Sequence, residues 1–178
     1  HLSLSYTTRE PRPGEHDARD YHFVDRATFD QMVADDAFLE WAEVYGNRYG
    51  SPKAPIMAAL EKGQSALFDI DDHGAKTIAS HLPQDSVLVY LLPPSLAEMR
   101  RRLTARSQDS EEVIRKRIAR AKDEVCGWNT FDYVLLNDDF DRAYADLAHI
   151  FHAERLKRVR NPWVGEFVGD LLAEEIDT

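Results

Sequence analysis

Apolar and polar residues alternate at the start of the chain, over residues 2–7 (Leu-Ser-Leu-Ser-Tyr-Thr), with the period of a strand that buries one face. A second short strand is expected at 20–24, followed by helical spacing of Phe29, Met32 and Val33 within 27–35. Residues 38–45 alternate again, setting Glu40 and Ala42 on one face and Leu39, Trp41 and Glu43 on the other. A glutamate midway along such an apolar strand is unusual. Residues 46–52 (Gly-Asn-Arg-Tyr-Gly-Ser-Pro) read as a turn, and 54–62 as a helix stopped by Gly63.

Beyond residue 63 strands and helices alternate over longer stretches. Residues 65–70 and 86–92 are continuous apolar runs of the kind found in a sheet covered on both faces. Helical spacing follows at 96–104, with Met99 and Leu103 inward, and residues 109–112 open a charged helix that runs to Val125. A further buried strand is expected at 132–137. Residues 140–158 form a long amphipathic helix with Ala143, Leu147, Ile150, Phe151 and Leu156 near helical period. These elements predict a parallel α/β core with one mixed insertion near its start and one charged helical insertion at 105–127. In the tail, 161–178, Trp163, Val164, Phe167, Val168, Leu171 and Leu172 recur as pairs every four residues, an apolar helical stripe expected to fold back on the core or to dock on another subunit.

Length and composition narrow what such a core can do. A chain of 178 residues with 43% hydrophobic content suffices for one compact domain. The net charge of -10 argues against a general nucleic-acid or membrane-surface binder, so any phosphate site must be a local cationic cluster. The single cysteine, Cys126, has no partner for an intramolecular disulfide and fits a reducing compartment. No apolar run approaches the roughly 20 residues of a membrane span, and no signal-peptide pattern is present, which leads us to expect a cytoplasmic protein.

Four constellations have the makings of chemistry. Arg12 directly precedes Pro13 and Arg9 stands two residues before Pro11, so both sit on a stiff, extended segment where two guanidinium forks make an anion clamp; the alternative is a solvated basic turn. Tyr21 and Tyr49 can complete a phosphate's acceptor shell, or serve as ordinary strand aromatics. Glu40, with Ser51, Ser5 and Asp69, offers a carboxylate that can accept the paired N1 and N2 donors of guanine; it can equally pair with one of the protein's own arginines. Asp69, Asp71 and Asp72 lie at the C-terminal end of an expected core strand, where parallel sheets bind ligands, although capping by Asp71 or Asp72 is a commoner role than metal binding. Finally, Arg100, Arg101, Arg102, Arg106, Arg115, Arg117 and Arg120 concentrate positive charge on adjoining helices, either as a cationic lid or as a solvated face paired with Glu98, Glu111 and Glu112.

Six segments in register, residues 5–15, 20–24, 38–50, 69–71, 108–114 and 131–140, resemble the guanylate kinase family of bacterial type. The resemblance runs from about residue 2 to residue 160. It implies a P-loop kinase-like, three-layer parallel-sheet core (residues 1–4, 63–104 and 128–160), a mixed α/β nucleotide-binding insertion (5–62), a helical lid (105–127) and a tail helix (161–178). The reaction it implies is Mg2+-dependent transfer of the ATP γ-phosphoryl group to GMP, in purine nucleotide metabolism. It places Arg9, Arg12, Tyr21 and Tyr49 on the GMP phosphate, Ser5, Glu40, Ser51 and Asp69 or Asp71 around guanine, Arg102, Arg106 and Arg117 on the ATP phosphates, and Asn137 near adenine. No protein metal ligand is assigned. The family opens with a strand and a Gly-x-x-x-x-Gly-Lys-Ser/Thr loop; none of the eight glycines here starts that motif, so the enzyme reading expects such a loop upstream of residue 1. Non-catalytic guanylate-kinase-like modules, which bind phosphopeptides through the same phosphate clamp, are the alternative that the resemblance leaves open.

Overall fold

The computed structural model describes residues 1–105 and 110–174 and divides into two compact units, His1–Pro83 and Gln84–Thr178. The first unit is built on a four-stranded sheet ordered β2-β1-β4-β3, from β1 (Tyr6–Thr7), β2 (His22–Phe23), β3 (Phe38–Val44) and β4 (Asn47–Pro52). β1 runs parallel to β2 and antiparallel to β4, which is also antiparallel to β3.

One correction here matters for the site. Residues 46–52 are not a turn: the turn is Tyr45–Gly46, at φ 53° and 80°, and Asn47–Pro52 is an inner strand hydrogen-bonded on both sides. Two consecutive positive φ values make the tight hairpin turn whose twist matches that of the strands it joins. Gly, Asn and Pro are poor strand formers, but pairing to β1 and β3 overrides that local preference. Gly50 is required there, because a Cβ would meet the Phe38 ring at 2.8 Å.

Three helices complete this unit. α1 (Arg26–Ala34) is capped by Asp25, which accepts from Thr28 N at 2.7 Å, and buries Phe29 against Phe38 with ring centroids 4.7 Å apart. α2 (Lys53–Glu61) buries Ile56 and Ala59 and ends at Lys62–Gly63, where Gly63 has φ 69°. α3 (Asp72–His81) starts from an Asp71 cap that accepts from Gly74 N at 2.9 Å.

Residues 65–70, expected as a core strand, pair at a single bridge, Leu67 with Leu2. The N-terminal segment runs beside them for three residues, with Ser3 N donating to Leu67 O and Leu67 N to His1 O, and then leaves to join β4 at Tyr6. Leu67 is accordingly 56% exposed rather than covered on both faces.

Ala18 sits at φ 57°, a left-handed conformation that an L side chain adopts at a cost and glycine does not. Ala18→Gly is therefore expected to raise stability by about 0.5–1 kcal/mol, net of the extra freedom glycine has in the unfolded chain. Urea denaturation at constant m-value checks it.

The second unit pairs β5 (Val89–Leu92) with β6 (Tyr133–Leu136) in parallel, linked through α4 (Leu96–Ala105), α5 (Glu111–Glu124) and a short 3-10 segment. Leu103, Ile114 and Ala121 are buried. α5 is capped by Ser110; the expected opening at Asp109 lies outside the described residues. Leu91 and Leu136 are half exposed, so this strand pair does not have the two covered faces its apolar runs suggest.

α6 (Phe140–Leu156) buries Ala143 and Glu154, with Leu147 and Ile150 half-buried between them. Phe151 and Leu156, expected inward, are 43% and 82% exposed. At about 100° per residue, Ala143, Leu147, Ile150 and Glu154 fall within about 60° of arc, whereas Leu156 lies nearly opposite. Glu154 is neutralised where it sits: it accepts from the Tyr133 hydroxyl at 2.5 Å and pairs with Lys157 at 2.6 Å and Arg160 at 3.4 Å.

α7 (Trp163–Ala173) is a helix, as its spacing predicts, but no residue in it is buried, and the expected fold-back onto the core is not observed. The chain is redirected before it: Arg160 reaches Glu154 and Ser86 O, and Asn161 Nδ2 donates to the Arg155 and Lys157 carbonyls.

Candidate active site

The first unit gathers nine of the expected site residues around its sheet. Thr7, fully buried in β1, accepts from Arg9 N through Oγ1 at 3.2 Å; Thr8 exchanges bonds with Arg48, donating N to its carbonyl at 3.0 Å and accepting its N–H on Oγ1 at 2.9 Å. These bonds fasten the proline-stiffened segment to β4. Ser5 lies just before β1, and its carbonyl accepts from His22 N at 2.9 Å.

The Arg9 side chain is 12% exposed and its guanidinium is already engaged by a carboxylate: Nη2 donates to Glu15 Oε1 at 3.0 Å, and Nη1 lies 3.0 Å from Glu15 Oε2 and donates to Glu10 O at 2.7 Å. Glu15 also accepts from Arg12 N at 2.8 Å. Arg9 holds the Glu15 carboxyl below its usual range, with the Arg12 amide assisting. The same guanidinium stands 5.4 Å from the Tyr21 ring and 5.8 Å from that of Phe23. Tyr21 and Tyr49 meet edge to face at 6.1 Å, and burial pushes the Tyr21 phenol upward with help from the charge of Asp69. Arg9, Arg12, Tyr21 and Tyr49 thus form one neighbourhood, with Glu15 as its internal counter-ion. Glu15 has no assigned role in the sequence reading; the available signal was its spacing, six residues after one arginine and three after the other.

Glu40 is 7% exposed and lies opposite Ser51 in the β3–β4 ladder; Ser51 Oγ donates to its Oε1 at 2.5 Å. Among the described residues no arginine pairs with it, so of the two sequence alternatives the self-paired one is not what they display. Burial raises the carboxyl above its usual range; the Ser51 bond opposes the shift and the charge of Asp71 adds to it. Asp71 stands at the start of α3 and Asp69 two residues earlier on an exposed segment. Capping is the role Asp71 plays, as its alternative reading held, while Asp72 pairs with Lys76 at 3.1 Å.

In the second unit, Arg102 on α4 donates from Nε to Glu98 Oε1 at 2.8 Å and from Nη1 to the Asn137 carbonyl at 2.9 Å, so these two expected residues adjoin. Arg101, then Arg102, hold the Glu98 carboxyl down at about 2. Arg100 pairs with Glu111 and Lys116 with Glu112, so part of this cationic surface is the solvated face that charge patterning allows. Arg117 lies on α5; Arg106 lies outside the described residues. Among the described residues no three His, Cys, Asp or Glu side chains converge on a metal position, and no helix is long and apolar enough to cross a membrane.

The buried Glu40–Ser51 pair and the Arg9–Tyr21–Tyr49 cluster belong to the same α/β unit. A family model described as guanylate kinase matches residues 1–154. Guanylate kinase of Caulobacter vibrioides is 73% identical over 176 residues, 99% of this chain and 83% of that protein, and guanylate kinase of Maricaulis maris is 53% identical over 173 residues, 97% and 79%. The crystal structure of guanylate kinase from Anaplasma phagocytophilum superposes with a TM-score of 0.86 at 31% identity, over 98% of this chain and 86% of that one. The class is that of P-loop kinase-like folds. The chain belongs to the guanylate kinase family.

Proposed function

We propose that the first unit binds GMP, with its phosphate on Arg9, Arg12, Tyr21 and Tyr49 and its guanine against Glu40, Ser51, Ser5 and Asp69 or Asp71. The chain acts as a guanylate kinase, transferring the γ-phosphoryl group of ATP to GMP to give GDP and ADP. The observation that carries the assignment of the guanine site is the buried Glu40–Ser51 pair. A buried carboxylate with one neutral donor still has acceptor capacity, and guanine supplies two parallel N–H groups that adenine does not. A phosphopeptide clamp has no use for such a reader, which favours the enzyme over the non-catalytic module.

On this reading Arg102, Arg106 and Arg117 neutralise charge on the ATP phosphates and Asn137 lies near adenine. Arg102 is supported in that role by its bonds to Glu98 and the Asn137 carbonyl, which limit its rotamers before substrate arrives. Phosphoryl transfer asks for positioning and charge neutralisation more than for covalent chemistry, and arginines suit both. A divalent ion such as Mg2+ accompanies ATP, an ion usually held largely by phosphate oxygens and water. We assign residues 5–62 to the GMP-binding region, 105–127 to the lid, 1–4, 63–104 and 128–160 to the core, and 161–178 to the tail. Self-association through the tail is supported by the exposed apolar stripe of α7.

Titration calorimetry with GMP and AMP tests the guanine site. GMP is expected to bind at least about tenfold tighter, since a site built to pair buried donors rejects the base that lacks them. Equal affinities would remove the guanine reading.

A further inference from the structure

Glu40 Oε2, the carboxylate oxygen not bonded to Ser51, faces the first turn of α3 at Gly74. Gly74 is buried, and its N–H is committed to the Asp71 cap at 2.9 Å. A Cβ at position 74 would lie 2.7 Å from Glu40 Oε2, 3.1 Å from Glu40 Cδ and 3.3 Å from Asp71 Oδ1. The first of these separations is closer than real side chains approach, so something must move. The backbones on either side are held, β3 by its ladder and α3 by its cap, so the displacement falls on the end of the Glu40 side chain, which can yield by rotation about its χ angles.

The helix itself gives no reason for glycine. Gly74 lies inside α3 without a positive φ, where glycine is a poorer helix former than alanine. Gly50 is equally crowded, but its neighbour is the Phe38 ring, so that glycine serves packing. At position 74 the space a Cβ would fill is bordered by two carboxylates: Glu40, assigned above to the guanine, and Asp71, one of the two aspartates proposed beside it.

We propose that Gly74 is a positioning residue for base recognition: by lacking a Cβ it leaves room for the Glu40 carboxylate to face the N1–H and N2–H donors of guanine, and it sets specificity without touching the nucleotide. The inference rests on the reading of Glu40 as the guanine acceptor. It extends that reading to a residue with no polar side chain.

The test compares the full chain with its G74A, E40Q and E40D/G74A variants. GMP, inosine monophosphate (which keeps N1–H and lacks the 2-amino group) and inorganic phosphate are titrated into each, and thermal melts are recorded alongside. G74A is expected to weaken GMP about tenfold, the scale of one misplaced hydrogen-bonding group, and to narrow the GMP-to-IMP ratio while phosphate affinity stays unchanged. Its melting temperature should hold or rise, because alanine favours the helix. E40D/G74A, whose shorter acid withdraws from the new methyl, is expected to recover part of the ratio. A wild-type ratio in G74A with a lost ratio in E40Q would overturn the inference and leave Glu40 as the reader. An unchanged ratio in E40Q too would overturn the reading itself. Equal losses for GMP and phosphate with a lowered melting temperature would mark Gly74 as structural and also overturn the inference.

Discussion

Arg9→Ala is expected to abolish practical binding of every phosphorylated ligand, GMP included, with a loss of about 2–5 kcal/mol, the range for truncating one partner of a largely buried charged contact. Two effects act in the same direction. The guanidinium fork proposed to meet phosphate is gone, and Glu15, which Arg9 engages through both carboxylate oxygens, loses that partner and stays in the same neighbourhood as an anion. Arg9→Lys should fall between, keeping charge but losing the planar fork and the stacking over Tyr21. Calorimetry with GMP and with inorganic phosphate reads both variants. Undiminished GMP affinity in Arg9→Ala would return this stretch to a surface turn held by its own ion pair. Arg12→Ala should lose affinity in the same direction.

Glu40→Gln should separate base recognition from phosphate binding. It replaces an acceptor oxygen with an amide that donates, mismatching one buried N–H of guanine at a cost of about 1–3 kcal/mol, while the phosphate clamp is untouched. The pH dependence gives a second reading of the same group. Burial holds the Glu40 carboxyl above its usual range in the free protein. Guanine donors favour the ionised form, so GMP affinity is full above that raised value and declines as pH falls through it, sooner than an ordinary glutamate would predict. The decline should be absent in Glu40→Gln. A common loss for GMP and inorganic phosphate in this variant would sink the role assigned to Glu40.

Much of this was readable from local pattern. The helical spacing at Phe29, Met32 and Val33 and at Met99 and Leu103 marks helices that form, and Asp71 takes the capping role its position allows. Arg9 comes from the stiff segment, Tyr21 from just before β2 and Tyr49 from β4, and their side chains meet. What local pattern does not reveal depends on partners distant in sequence. Asn47–Pro52 looks like a turn until it is flanked by two strands, and residues 65–70 look like a core strand although they bridge one neighbour at one point. Glu154 interrupts an apolar stripe because Tyr133, Lys157 and Arg160 converge on it. Spacing predicted the α7 helix but not what covers it, since periodicity reports a face and not its neighbour.

The sequence by itself determined the nature of the helices, the stiff arginine segment and the identity of the family, because backbone preference, periodicity and motif are properties of short stretches. Tertiary structure decided that Ser51 stands opposite Glu40, that Glu15 holds Arg9, and that the missing Cβ of Gly74 leaves room for a carboxylate. Each of these is a contact of a few ångströms between separately built elements, and such distances exist only once the register of the sheet and the docking of the helices on it are set.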